Sequence, residues 1–140
     1  DSKELAVNIG AFSPDFNLSD VNGNFHKLSD FRGKYVVVDF WAAWCSVCRK
    51  ENPKMQALYT QYQNKNIKFI GACLDANIDK WKQVVAEDGL TYLQLNDADA
   101  FESKVGIQMV TFIMLLDESG KILIVSSRVA DIENRLSQEL

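Results

Sequence analysis

Nowhere does the 140-residue sequence hold an apolar run of the roughly 18 residues that a membrane helix requires; its longest runs are the length of strands. Positive charge is not in excess either. The 15 Lys and Arg stand against 19 Asp and Glu, net −4, so no chain-wide basic footprint argues for nucleic-acid binding. Three cysteines are too few for a disulfide scaffold. Internal repeats, low-complexity tracts and linker-like stretches are missing too, which leaves one domain over 1–140, with 1–12 as a lead-in. The chain starts at Asp1 rather than Met and shows neither a charged-then-apolar signal segment nor a lipidation motif. Processing at the N-terminus, with removal of an export signal, is left open.

What is present is an ordinary globular mixture, 47% hydrophobic and 24% charged, which sets aside disorder, collagen and coiled coil. At this length folding buries roughly two-thirds of the chain's surface, enough for a substantial core. Asp20-Val21-Asn22-Gly23 lies between Phe16-Asn17-Leu18 and Phe25-His26-Lys27-Leu28 and predicts a β-hairpin, because Asn and Gly tolerate positive φ. Residues 29–34 read as a turn or short helical step. Tyr35-Val36-Val37-Val38-Asp39-Phe40 is β-branched and almost continuously apolar, as in a strand covered on both faces.

A helix is expected from about Cys45, with Met55, Leu58, Tyr59 and Tyr62 on one face and Pro53 kinking it. Residues 67–74 form a second apolar strand, and Trp81, Val84 and Val85 mark an amphipathic helix stopped by Gly89. A short strand over 91–95 and a short helix over 98–104 follow. The strand 111–116 then turns through Asp117-Glu118-Ser119-Gly120 into an antiparallel partner, 121–126. Val129, Ile132, Leu136 and Leu140 give a closing helix. Strands alternating with helices, then a hairpin and a last helix, predict an α/β sandwich with a mixed central sheet flanked by helices.

The informative segment is Trp41-Ala42-Ala43-Trp44-Cys45-Ser46-Val47-Cys48, where a buried strand hands over to a helix. Cysteines at i and i+3 of a helix start are one turn apart and can close a small disulfide ring with little backbone movement. The first lies beside unpaired N–H groups at the positive end of the helix dipole, which favours the thiolate, the nucleophile of thiol–disulfide exchange. Cys45 is therefore the expected attacking thiol and Cys48 the resolving one. Half of a zinc site is the competing reading. It would need Cys73 and His26, the only other Cys or His residues, to converge from separate strands. A pair of inert core cysteines is the other, and the strand-to-helix position speaks against it.

Asp39, six residues before Cys45, interrupts an apolar run. Burial there raises its proton affinity, which suits a group that takes the resolving thiol's proton. Glu51 faces the same side of the helix as Cys48 and is a second candidate for proton handling; on helical spacing alone an ordinary exposed glutamate is favoured. Cys73 reads as a small core residue and His26 as a surface histidine. Trp81 reads as core packing between outward Lys80 and Lys82. Asp97 and Asp99 read as helix-capping carboxylates.

The segment from Val36 through Asp39-Phe40-Trp41-Ala42-Ala43-Trp44-Cys45-Ser46-Val47-Cys48-Arg49-Lys50-Glu51-Asn52-Pro53 resembles the active-site stretch of the thioredoxin superfamily. The lead-in Ser13-Pro14-Asp15-Phe16 and the run Leu28-Ser29-Asp30-Phe31-Arg32-Gly33-Lys34 narrow the resemblance to the TlpA/ResA-like thiol–disulfide oxidoreductases. The resemblance implies a thioredoxin-like sandwich with an added N-terminal β-hairpin and no cofactor beyond a redox-active Cys45–Cys48 disulfide. It further implies a monomer outside the cytoplasmic membrane, periplasmic or membrane-tethered, in chemistry of the kind that serves cytochrome c maturation. Electrons would pass from a membrane-bound thiol donor to oxidised or mispaired protein thiols. By position, Cys45 matches the attacking cysteine, Cys48 the resolving one, Asp39 the buried acid, Glu51 the glutamate of ResA-like members and Pro53 the kinking proline. Trp44, Ser46, Val47, Val110 and Thr111 fall where the family meets its substrates.

Two departures stand out. Ser46-Val47 replaces the Gly-Pro frequent in thioredoxins, and Thr111 stands where the family has its cis-proline. A cis bond to Thr costs roughly 2.5–4 kcal/mol, so Val110-Thr111 is expected to be trans, which would redirect the backbone that docks a substrate chain. The alternative function is thus a partner-binding module with weak turnover. A thiol peroxidase is disfavoured: its Pro-x-x-x-Thr-x-x-Cys pattern meets Val38 and Ala42 here, leaving no hydroxyl to hold peroxide.

Overall fold

A computed structural model describes residues 8–96 and 112–140 of the chain. Its strands are β1 (Asn17–Asp20), β2 (Phe25–Lys27), β3 (Tyr35–Trp41), β4 (Ile67–Cys73), β5 (Leu93–Asn96), β6 (Phe112–Leu116) and β7 (Ile122–Ser126). The helices are α1 (Ser46–Tyr62), α2 (Ile78–Glu87) and α3 (Val129–Glu139), with a 3-10 turn at Leu28–Phe31. Among the described residues the strands form one sheet in the order β2-β1-β5-β4-β3-β6-β7. Strands β3, β4 and β5 run parallel, while β6 and β7 are antiparallel. The α/β sandwich with a mixed sheet and an added hairpin is therefore the observed architecture.

The hairpin turn closes on Gly23, at φ 85°, and on Asp20, whose Oδ1 accepts the amides of Asn22 and Asn24. It joins the sheet through β1, with Ser19 opposite Asn96. At the other edge, residues of the lead-in pair with β7: Gly10 N–H donates to the Ile122 carbonyl at 2.8 Å, and Ile122 N–H to Ala11 at 2.9 Å. Helix 98–104, Asp97, Asp99 and the expected trans bond at Val110-Thr111 lie outside the described residues.

Strand β3 is central, buried on both faces, and its alternate residues serve two cores. Val37 and Trp41 face Met55, Leu58 and Tyr62 of α1, Trp81 and Val84 of α2, and Ile132 and Leu136 of α3. Val36, Val38 and Phe40 face away, toward Phe16 and Leu28 of the N-terminal region. Both layers explain why this strand reads as an unbroken apolar run. Helix α1 continues through Pro53, and α2 ends before Gly89, which takes φ 64°.

Candidate active site

Chain direction and small side chains build the site. Strand β3 ends at Trp41, and the buried Ala42 and Ala43 carry the backbone tightly into α1. Cys45 is the N-cap: its backbone is extended, φ −92° and ψ 108°, and its Sγ accepts the Cys48 amide at 3.2 Å. A cysteine sulfur here does the work usually left to Ser or Asp, satisfying one of the orphan amides at a helix start. Cys45, Cys48 and Cys73 are free thiols. Cys48 is the more deeply buried of the pair, 2% exposed against 8% for Cys45. Burial first, then its hydrogen bond with Cys45 and the charges of Cys45 and Asp39, push the Cys48 thiol up to about 12. The rim is open: Trp44 is 69% and Val47 56% exposed, and Ser46 faces solvent.

Helix α1 is tied down on both flanks. At the C-terminal end of α2, Arg49 reaches Asp88 at 2.8 Å and Glu87 at 3.2 Å, and Asn52 Nδ2 donates to Asp88 at 3.2 Å. On the other side Glu51 Oε1 accepts the Val129 amide at 3.0 Å, capping α3 from a neighbouring helix, while Oε2 pairs with Lys54 at 2.7 Å. Burial works to raise the Glu51 carboxyl, but Lys54, the Val129 amide and Arg128 together hold it below the usual glutamate value. Glu51 thus stands as a carboxylate that joins two helices. An open cleft of about 430 Å³ runs from Val47 past Glu51 to Arg128.

Asp39 is buried on the face of β3 that looks toward α1. Burial, and next the nearby Glu51 charge, raise its carboxyl to about 7. Both charges, Asp39 and Cys45, bear on Cys48. The structure therefore brings Cys45, Cys48, Asp39 and Glu51 together at the start of α1, with Trp44, Ser46 and Val47 on their rim. Val110 and Thr111 lie outside the described residues.

Cys73 is fully buried opposite Trp41. Burial chiefly, and the Asp75 charge, raise its thiol to about 12, against the amides of Asp75 and Ala43. His26 is on the hairpin surface, 2.8 Å from Asp20. Among the described residues, no group of three or more His, Cys, Asp or Glu is placed to hold a metal ion, and no helix is long and apolar enough to cross a membrane.

Sequence reasoning missed the partners that surround the four central residues: Lys54, Arg128, Tyr92 and Gln94. The one signal available was Gln94, a polar residue among the leucines of a short strand.

The model of the AhpC/TSA family matches residues 9–124. The thiol-disulfide oxidoreductase ResA of Geobacillus thermodenitrificans is 32% identical over 125 residues, 86% of this chain and 70% of that protein. The thioredoxin-like protein YneN of Bacillus subtilis is 32% identical over 123 residues, 86% of this chain and 72% of its own. Among solved structures, the thioredoxin domain of a thiol-disulfide oxidoreductase from Bacteroides vulgatus superposes with a TM-score of 0.89 at 32% identity, covering 95% of this chain and 98% of that one. A thiol:disulfide interchange protein from Bacteroides sp. gives 0.87 at 32% identity, covering 95% and 90%.

Proposed function

The chain belongs to the AhpC/TSA family, and within it to the ResA/TlpA-like thiol–disulfide oxidoreductases of the thioredoxin superfamily, and on that premise we propose that it reduces protein disulfides through Cys45 and Cys48. The observation that carries the proposal is Cys45 Sγ accepting the Cys48 amide in the first turn of α1, with the deeper Cys48 thiol within the field of Asp39.

Two transfers complete the reaction. The Cys45 thiolate attacks one sulfur of the client disulfide, forming a Cys45–client bond, and the other client sulfur leaves as thiolate. Cys48 then gives its proton to Asp39 and attacks Cys45 Sγ, and the second client sulfur leaves. The client gains two electrons and the pair becomes a disulfide. Asp39, with its carboxyl near neutrality, is suited to take that proton and later release it. Glu51, held as a carboxylate, acts by charge and by fixing α1 against α3 rather than by carrying a proton. Trp44, Ser46 and Val47, together with Val110 and Thr111, would meet the client chain.

The resemblance to exported relatives supports a place outside the cytoplasmic membrane, with a membrane-bound thiol donor resetting the pair and no organic cofactor or metal.

The test is Cys48→Ser incubated with insulin. It should accumulate a mixed disulfide at Cys45 that dithiothreitol releases, while the unaltered chain shows a reversible two-electron couple in glutathione buffers. A chain with no such couple would overturn the proposal.

A further inference from the structure

Three strands place three residues in line beneath the dithiol. Asp39 of β3 is the register partner of Gly71 on β4, and Gly71 is the partner of Gln94 on β5. Alternation puts all three on the face of the sheet that packs against α1. Gln94 is 5% exposed, and its side chain does not stay over its own strand. A Cβ built on Gly71 would lie 2.7 Å from Gln94 Nε2 and 2.8 Å from Cδ, so the amide occupies the space that any other residue at 71 would fill.

The amide therefore lies over Gly71, on the strand next to that of Asp39, and neighbouring strands are roughly 4.8 Å apart. Its Oε1 is already committed, accepting the Trp41 indole N–H at 3.2 Å. That bond fixes which end of the amide is which, and it leaves Nε2 as a buried donor without a partner. A buried, unpaired amide donor is costly unless it has a use. Its neighbouring acceptors are the Tyr92 hydroxyl, whose charged form it favours, and, one strand beyond Gly71, the Asp39 carboxyl, the one of the two that the exchange leaves charged.

We propose that Gln94 is a positioning residue of the exchange reaction, reaching across Gly71 to donate Nε2–H to the Asp39 carboxylate as it takes the proton of Cys48. The assignment rests on the reading of Cys45 and Cys48 as an exchanging pair. During the second transfer the Cys48 Sγ–H bond breaks, its proton goes to Asp39, its electron pair forms the bond to Cys45 Sγ, and the client thiolate leaves. Before that moment Asp39 must be ionised in an apolar layer. One charge-assisted hydrogen bond from Gln94 stabilises that form.

The other groups facing Asp39 do not replace it. From the start of α1 come Cys45, Cys48 and Glu51, which are acidic, and just before β5 comes Tyr92, a buried hydroxyl held protonated by burial first and then by the Asp39 charge, against its hydrogen bond with Gln94. On either side of β3, the register partners of Asp39 are Gly71 and Ile113, which carry no charge.

The experiment follows release of 5-thio-2-nitrobenzoate after mixing the reduced chain with its symmetrical disulfide. The first release reports attack by Cys45, the second attack by Cys48. In Gln94→Met the second release should slow about tenfold at pH 7, its pH midpoint moving alkaline by about one unit, with the first release unaltered. Gly71→Ala keeps Gln94 but displaces its amide. Only the far end of a flexible side chain has to move, so the variant should fold and show the same shift. The two changes together should do no more than either alone. An unshifted midpoint in both single variants, or shifts that simply add, would overturn the assignment. If the unaltered chain gives no second release, the exchange reading itself fails, and this one with it.

Discussion

The two faces of the central sheet are made from alternate residues of the same strands, and they do different things. One carries Val36, Val38, Phe40, Ile70, Ala72 and Leu95, an apolar layer closed by Phe16 and Leu28. The other carries Val37 and Trp41, but also Asp39 and Gln94, under the helix that bears the dithiol. Shifting by one residue along β3 moves from inert packing to a carboxyl raised to about 7. The contrast shows where this fold tolerates charge.

The largest effect that would break the contrast is expected from Asp39→Asn. Removing the base should slow the second transfer roughly 10²–10⁴-fold at pH 7, measured on the mixed disulfide. Stability should change with a defined sign. In the fold the Asp39 carboxyl moves from 3.8 to about 7, so between those values the native chain holds a proton that the unfolded chain has lost. Unfolding free energy therefore falls as pH rises through that window, by about 4 kcal/mol in all, and levels off above it. Urea titrations at several pH values should show this fall in the unaltered chain and its absence in Asp39→Asn.

On the inert face, Phe40→Ala should cost about 3–5 kcal/mol of stability through the cavity it leaves, with the exchange rate of the folded fraction unchanged. Calorimetry and the thiol-release rate separate the two effects. Glu51→Gln is milder. It removes the charge that raises Asp39 and weakens the cap on α3, so the Asp39 midpoint should move acidward and stability should drop by about 1 kcal/mol. Cys73→Ala should change least, costing about 1 kcal/mol with no change in either release rate. A loss of turnover there would mean that the polar face holds a third redox group.

Much of this was legible in the residues. The turn at Gly23 declares the hairpin by backbone preference, and Trp44-Cys45-Ser46-Val47-Cys48 declares its chemistry by spacing at a strand-to-helix junction. Asp39 announced itself as a carboxylate in an apolar run. Glu51 did not. Its partners are Lys54, one turn away, and the Val129 amide, 78 residues on, and only packing shows that they hold it as an anion. Gln94 showed only its polarity among leucines, since its meaning depends on the missing side chain at Gly71, on the strand between it and Asp39.

Local rules, then, determined the elements, the redox pair and its place at a helix start, because backbone preference and i, i+3 geometry act over a few residues. Tertiary structure alone decided the protonation of Asp39, the anchoring of Glu51 and the reach of Gln94. Those depend on solvent exclusion and on groups far apart in the chain, and neither quantity exists until the sheet is assembled.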